Sequence, residues 1–451
     1  MIKLVKLLAA VFFALVTTCH SGPLDECELM DDETESLLME IVVMIKEALE
    51  YHIDINVYIL YNQSLNAAAT QSGDIVVNAG VFLQCDDVYE LIAILAHEVG
   101  HIAGAHIATF IAGQGDRARH GLVATLIGAA AAIAAGNPAP LIAGTAGGSS
   151  IMMGTTFREL RKRENIADTK AAQAIIALGW EMVFPGCVSL HEKLSRNSGG
   201  IYNVYLSTHP LPQDRIDKYK KYTRDSEGKT WTQKVQSLMA RFQRKFAILK
   251  HKIRALVLPV DTLSAMYARA EDFGERYAKA ITFYRAHKYE SASTTIDGLV
   301  EKADQADVGY LMEIKAMSLA CMKKLAVAAS TCWTILVDDK PTKVHRDLGL
   351  IYAHAVVEGK LKNHASQAIK VLSRINAVKG DDVSVISELG ALHFMSGDTD
   401  KASLCAAKVS SLLGDPKTAI FHAEKAAKST NEVVKRNAKD ISSSQKELID
   451  D

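Results

Sequence analysis

The chain has 451 residues, 49% hydrophobic and 23% charged, with 51 Lys+Arg against 52 Asp+Glu. Such a composition excludes wholesale disorder, and the even charge balance excludes a generally basic, nucleic-acid-binding surface. The length suggests two or three domains, and seven cysteines are too few for a disulfide scaffold, so the fold must rest on packed cores.

Lys3 and Lys6 precede an apolar run, Leu7 to Val16, and small polar residues follow from Thr17 to Gly22. This is the order of a secretory signal peptide, expected over residues 1–21, and the run is too short for the roughly 20 residues that span a bilayer. Cys19 raises lipidation, against which Thr18 stands where a lipobox wants Gly, Ala or Ser. The six other cysteines (Cys27, Cys85, Cys187, Cys321, Cys332 and Cys405) leave their pairing open.

From Asp25 to Glu40 every charged residue is acidic, and residues 35–51 have helical apolar spacing. Strand-like pieces follow at 53–61, 65–70 and 74–78, the last after the turn signal Ser72-Gly73. A long helix is expected over 88–111. Residues 121–153 carry no charge and are rich in Ala and Gly. Gly136-Asn137-Pro138 splits them into a helical hairpin packed through small residues, with peripheral membrane contact as the alternative. A helix over 157–178 stops at Gly179 and Pro185. Between Gln213 and Ala255 there are 13 Lys/Arg and 4 Asp/Glu, which reads as solvated helix faces or as a surface for an acidic partner. An amphipathic helix covers 230–249, and Pro259 marks a boundary.

Beyond it the chain is repetitive. Small residues recur twelve apart: Ala280 with Ala292, Ala316 with Ala328, and Gly390 with Ala402. Gly349 begins a looser copy, with Ala365 or Ala368 as partner after a small insertion. The period, near ~34 residues, resembles the tetratricopeptide helix-turn-helix. Pro341 and Pro416 end two copies.

His97-Glu98-Val99-Gly100-His101 carries the chemistry. On a helix, positions i and i+4 share a face, so His97 and His101 are placed to hold one metal ion, with Glu98 as general base for a water. A catalytic zinc needs a third protein ligand. His106 is one residue early for the H-x-x-G-x-x-H pattern and reads as structural. Glu164 and Asp168, at i and i+4 on the next helix, fit better: Glu164 as third ligand, Asp168 as acceptor of a ligating histidine's outer N–H. Glu159 is a weaker rival, because Arg163 occupies its i+4 position. An extended substrate is expected to pair with the strand edge at 65–70.

The set His97-Glu98-x-x-His101 with Glu164-x-x-Ala167-Asp168 resembles the gluzincin metallopeptidases that include HtpX and the CAAX prenyl endopeptidase. Asn66-Ala67 before Gly73-Asp74-Ile75-Val76-Val77 is similar to that family's edge strand. Thr208-His209-Pro210-Leu211-Pro212 with Arg215 is similar to the tail of its exported members. The uncharged insert and the repeats narrow the resemblance to the periplasmic branch that enhances β-barrel assembly. The resemblance implies a zinc metalloendopeptidase with His97, His101 and Glu164 as ligands, Glu98 as base, and His209 as a fourth, inhibitory ligand. It implies that Arg215 helps stabilise the transition state.

The implied substrates are unfolded or misassembled exported proteins in the periplasm or cell envelope, and the implied partners, reached through the repeats, are outer-membrane β-barrel proteins and their assembly machinery. The expected fold class is mainly α: an α+β zincin-type metallopeptidase domain with a small β-sheet, then an α-helical repeat domain. The expected domains are a signal at 1–21, peptidase at 22–225, basic helical connector at 226–270, tetratricopeptide-like repeats at 271–435 and a polar tail at 436–451. A chaperone or assembly scaffold with a latent or structural zinc is the second class; Glu98 favours the enzyme, because a structural site has no use for a general base.

Overall fold

The computed structural model describes residues 28–52, 54–70, 73–104, 150–196, 209, 213–337, 345–380 and 382–450. The expectations for the signal segment, Cys19, Cys27, His106, Pro341 and residues 121–149 lie outside them. Two compact units result, His20–Val257 and Leu258–Asp451. The class is the expected one, mainly helical with one small sheet.

The first unit opens with α1 (Asp32–Ala48). Asp31 caps it by accepting from the Thr34 amide at 3.1 Å, and Leu37, Leu38, Ile41, Val42 and Ile45 form its buried stripe. Three short strands follow, β1 (Val57–Leu60), β2 (Ala67–Ala69) and β3 (Ile75–Asn78). They pair in the order β1-β3-β2: β1 runs parallel to β3 with Val57 opposite Ile75, and β2 runs antiparallel with Ala67 opposite Val77. β2 is therefore an edge. After α2 (Ala79–Gln84) comes α3 (Val88–Ala103), the central helix. Asp87 caps it by accepting from the amides of Tyr89 and Glu90, and Glu90 reaches back to the Asp86 amide at 2.9 Å. Nearly every α3 side chain is buried, because α1, β2 and the helices that follow cover it on all sides.

Helix α4 (Ser150–Ala177) packs along α3 and ends at Gly179, whose φ is +67°. Pro185, read from sequence as a stop, lies instead in the first turn of α5 (Phe184–Arg196), where its missing N–H has no helical partner to lose. Then come α6 (Gln213–Asp225) and α7 (Gln233–Val257). Helix α7 is no free connector: Phe242, Phe246, Leu249 and Ile253 are buried within this unit, and Phe246 stacks on Phe82.

The two charge asymmetries of the sequence meet here. Lys252 is buried between Asp31 (2.5 Å) and Glu33 (2.9 Å), Lys245 pairs with Glu33 at 2.6 Å, and Arg241 pairs with Glu40. Three of the 13 basic residues that read as a surface for an acidic partner are thus used against the chain's own acidic N-terminal segment. Cys85 and Cys187 are buried free thiols, and Cys321, Cys332 and Cys405 are also unpaired.

The second unit is a run of helices, each packed on its neighbours in sequence: α8 (Val260–Met266), α9 (Phe273–Arg285), α10 (Tyr289–Val300), α11 (Gln305–Cys321), α12 (Leu325–Leu336), α13 (Arg346–Glu358), α14 (Ala365–Lys379), α15 (Val383–Met395), α16 (Thr399–Leu412), α17 (Pro416–Ala426) and α18 (Glu432–Asp450). The turns of four hairpins repeat one backbone device. His287, Lys323, Lys360 and Gly397 all have positive φ. In each, the next amide donates to a carbonyl five residues back: Lys288 to Phe283, Lys324 to Leu319, Leu361 to Val356, and Asp398 to His393. This is the left-handed helix stop of the Schellman kind.

These turns lie 36, 37 and 37 residues apart, more regular than the sequence reading. The small residue seven before each turn is Ala280, Ala316, Ala353 and Gly390, with partners Ala292, Ala328, Ala365 and Ala402. Starting the third copy at Gly349 was a slip of one helical turn, and no insertion is needed. Gly349 is small for another reason: a Cβ there would meet Ile375 Cδ1 at 2.4 Å. The expected polar tail is also helical, with Val434 and Ala438 of α18 buried against Ala426.

Candidate metal centre

His97 and His101 lie one turn apart on α3, and Glu164 and Asp168 one turn apart on α4. The helices come together at Gly100, where a Cβ would sit 2.4 Å from the Ala167 carbonyl oxygen; only glycine permits that approach. His209 arrives just before α6, which brings Arg215 and Tyr219.

Four residues offer one donor atom each: His97, His101, Glu164 and His209. His97 Nε2 is 3.0 Å from His101 Nε2 and 3.2 Å from His209 Nδ1. Glu164 carboxylate oxygens lie 3.3 Å from His97 Nε2, His101 Nε2 and His209 Nδ1. Four donors about 2.0–2.1 Å from a tetrahedral zinc lie about 3.3–3.4 Å apart, so the cluster has the size of that coordination shell. Nitrogen lone pairs this close repel unless a proton or cation lies between them. The donor set, imidazoles with one carboxylate, suits zinc.

The outer contacts fix the inner ones. His97 Nδ1 is 3.0 Å from Asp168 Oδ1, which leaves Nε2 facing the cluster. Burial pulls the His97 pKa down, but hydrogen bonds to Asp168 and Glu164 outweigh it and raise the value to about 9. Proton and metal therefore compete for this imidazole. His101 is shifted down, by burial and by the neighbouring His97. Burial opposes ionisation of Asp168 and Glu164, yet His97 and Arg215 hold Asp168, and the three histidines hold Glu164, well below the usual carboxylate range.

Arg215 faces the two carboxylates of α4. Its Nε donates to Asp168 Oδ2 at 2.7 Å, Nη2 to Asp168 Oδ1 at 2.8 Å and Nη1 to Glu164 Oε2 at 2.9 Å. All three guanidinium nitrogens are turned to the carboxylates behind the cluster, because two buried anions need a cation there. In this arrangement the guanidinium joins Glu164 to Asp168.

Glu98 is fully buried beside the donors. Its Oε2 accepts from the Ala69 amide of edge strand β2 at 2.9 Å. Its Oε1 is buried without a hydrogen-bond partner among the described residues and lies 3.5 Å from His209 Nε2. Glu98, His209 and the strand edge thus occupy one place. Sequence reasoning missed Tyr219, whose hydroxyl reaches Asp168 Oδ1 at 3.0 Å; its only signal is its position, one turn after Arg215.

Residues 32–223 match the family model of peptidase family M48. The chain is 25% identical over 327 residues to a beta-barrel assembly-enhancing protease of Yersinia pestis, covering 70% of this chain and 63% of that one. It is 22% identical over 377 residues to the protein of the same name in Escherichia coli strain K12, covering 80% and 71%. A putative beta-barrel assembly-enhancing protease of Vibrio cholerae is 22% identical over 262 residues, 54% of this chain and 50% of that one. The chain thus spans less than two thirds of the Yersinia relative's length. Among the described residues, no helix is long and apolar enough to cross a membrane.

Proposed function

We propose that this chain, which carries a metallopeptidase domain of family M48 over residues 32–223, is a zinc-dependent endopeptidase of envelope protein quality control. It cleaves misfolded or misassembled exported proteins, including outer-membrane β-barrels; its relatives named beta-barrel assembly-enhancing proteases support the link to β-barrel assembly. The observation that carries the reading is the buried Glu98 Oε1, without a hydrogen-bond partner among the described residues, beside the clustered donors of His97, His101, Glu164 and His209. The helical repeats of 271–435 supply a tetratricopeptide-like surface for substrates or assembly partners.

His97, His101, Glu164 and His209 are the residues that would hold zinc. Zinc in such a site acts as a Lewis acid on the scissile carbonyl and brings the pKa of its water to about 7. Glu98 takes the proton of the attacking water and delivers it to the leaving amine. The edge β2 receives the substrate as an added strand, giving affinity through the main chain. For that, the Ala69 amide is released from Glu98. Asp168 fixes the orientation and tautomer of His97, and Arg215 keeps Glu164 oriented and ionised.

His209 supports a second reading, an assembly scaffold whose site stays latent, because its imidazole fills the fourth position. The two readings separate in a degradation assay on casein or an unfolded β-barrel protein. Wild type that cleaves while Glu98→Gln does not supports the peptidase. Equal inactivity of both supports the scaffold.

A further inference from the structure

We infer that Tyr219 is a positioning residue of the metal centre, acting through Asp168 on His97. The inference rests on the zinc reading above.

Asp168 Oδ1 faces three donors: His97 Nδ1 at 3.0 Å, Arg215 Nη2 at 2.8 Å and the Tyr219 hydroxyl at 3.0 Å. Arg215 Nη2 is also only 3.3 Å from His97 Nδ1. Two donors so close compete for one oxygen, and the guanidinium, being charged and joined to Oδ2 as well, is the stronger. Left to that pair, the carboxylate turns toward Arg215 and away from the imidazole. The hydroxyl is a third anchor on Oδ1, and with Asp168 ionised it must be the donor of that bond.

The ring is held independently of its hydroxyl. Tyr219 is 2% exposed, and its ring lies 5.2 Å from that of His191 and 6.5 Å from that of Phe184. The phenol therefore stands at a set distance from Asp168 before any metal binds. The line Tyr219–Asp168–His97 ends on a ligand, and outer partners of this kind set the ligand's tautomer and its affinity for metal.

The test uses the purified full chain, with zinc affinity read by chelator competition, cobalt(II) visible spectra, and thermal unfolding of the metal-free protein. Tyr219→Phe should bind zinc roughly 10-fold more weakly, with a shifted cobalt band. Phe184→Leu, which loosens the same packing without touching Asp168, should lose stability and keep wild-type zinc affinity. In an Asp168→Ala background, which removes the acceptor of the hydroxyl, Tyr219→Phe should have no further effect on affinity. As a second probe, 3-fluorotyrosine at 219 keeps the shape and sharpens the donor, and should bind zinc at least as tightly as wild type. Unchanged affinity in Tyr219→Phe, an equal loss in the Asp168→Ala background, or an equal loss with 3-fluorotyrosine overturns the inference. Wild type that binds no zinc overturns the metal reading itself, and this inference with it.

Discussion

Gly100 lies so close to Ala167 that the two helices of the metal centre touch backbone to backbone, with 2.4 Å between a would-be Cβ and the Ala167 carbonyl oxygen. The middle of the His-Glu-x-x-His segment is therefore a spacer of zero length, and it sets the 3.3 Å separation between His101 and Glu164.

Gly100→Ala is expected to lose metal. Alanine gains about 1 kcal/mol in helix propensity, but overpacking costs about 1–3 kcal/mol, and here the obstacle is backbone that cannot rotate away. Zinc content and thermal unfolding check it; a variant with full zinc content contradicts the spacer role.

Glu98→Gln should keep zinc and fold and lose proteolysis by a factor of about 10²–10⁴. Glutamine fits the same buried space and still accepts from the Ala69 amide, yet it takes no proton at neutral pH. Undiminished cleavage would remove Glu98 from the mechanism.

Glu164→Ala should lose metal strongly, since it removes a ligand and leaves Arg215 without one of its two anions. His209→Ala should retain zinc through His97, His101 and Glu164, and cleave loosely folded substrates at least as fast as wild type. Metal analysis beside a casein assay distinguishes the roles; zinc loss in His209→Ala would make it an obligatory ligand.

The cluster of Lys252 with Asp31 and Glu33 should respond to both mutation and pH. Lys252→Met leaves two buried carboxylates without their shared cation, at a cost of about 3–5 kcal/mol. Burial raises the Glu33 pKa, but Lys252 and Lys245 more than offset it, so its folded-state value is lowered. Its contribution is present above the unfolded carboxylate's pKa, about 4.3, and is lost as pH falls toward the lower folded value. Thermal melts from pH 6 to pH 3 should show a shallower decline in Glu33→Gln than in wild type.

Lys323→Gly, like His287→Gly, should stabilise the repeats. A non-glycine residue in the left-handed region costs about 1–2 kcal/mol, and the looser unfolded chain of glycine returns about 0.4–1 kcal/mol of that. A net gain of about 0.5–1 kcal/mol, read from denaturant midpoints, is expected; destabilisation would mean that the side chain itself holds the turn.

The chemistry was legible where one helix face carries it. His97, His101, Glu164 and Asp168 follow from i, i+4 spacing on two helices, and the structure brings them together. His209 and Arg215 came only from resemblance, because no periodicity links a residue before α6 to a helix 112 residues earlier. The direction of the Arg215 guanidinium depends on which anions are buried beside it, and composition does not report that. The repeats were legible through small residues twelve apart, but Gly349 and Ala353 share a helix face, so pattern alone could not choose between them. Three of the four hairpin turns carry His or Lys, and only Gly397 gives the glycine signal. The acidic and basic stretches were both visible, and only the fold reveals that they answer each other.

That pairing has a consequence for the order of events in the making of the chain. Asp31 and Glu33 find their cation more than two hundred residues later, at Lys252. A polypeptide appearing N-terminus first, from a ribosome or through a translocation channel, must hold α1 unpaired until α7 has emerged. Contacts of such sequence separation form late and close large loops. The first unit therefore cannot reach its final packing while α3 is the newest part of the chain. Folding of this unit is timed by its last helix, and a nascent chain cut short before residue 252 should remain sensitive to proteolysis.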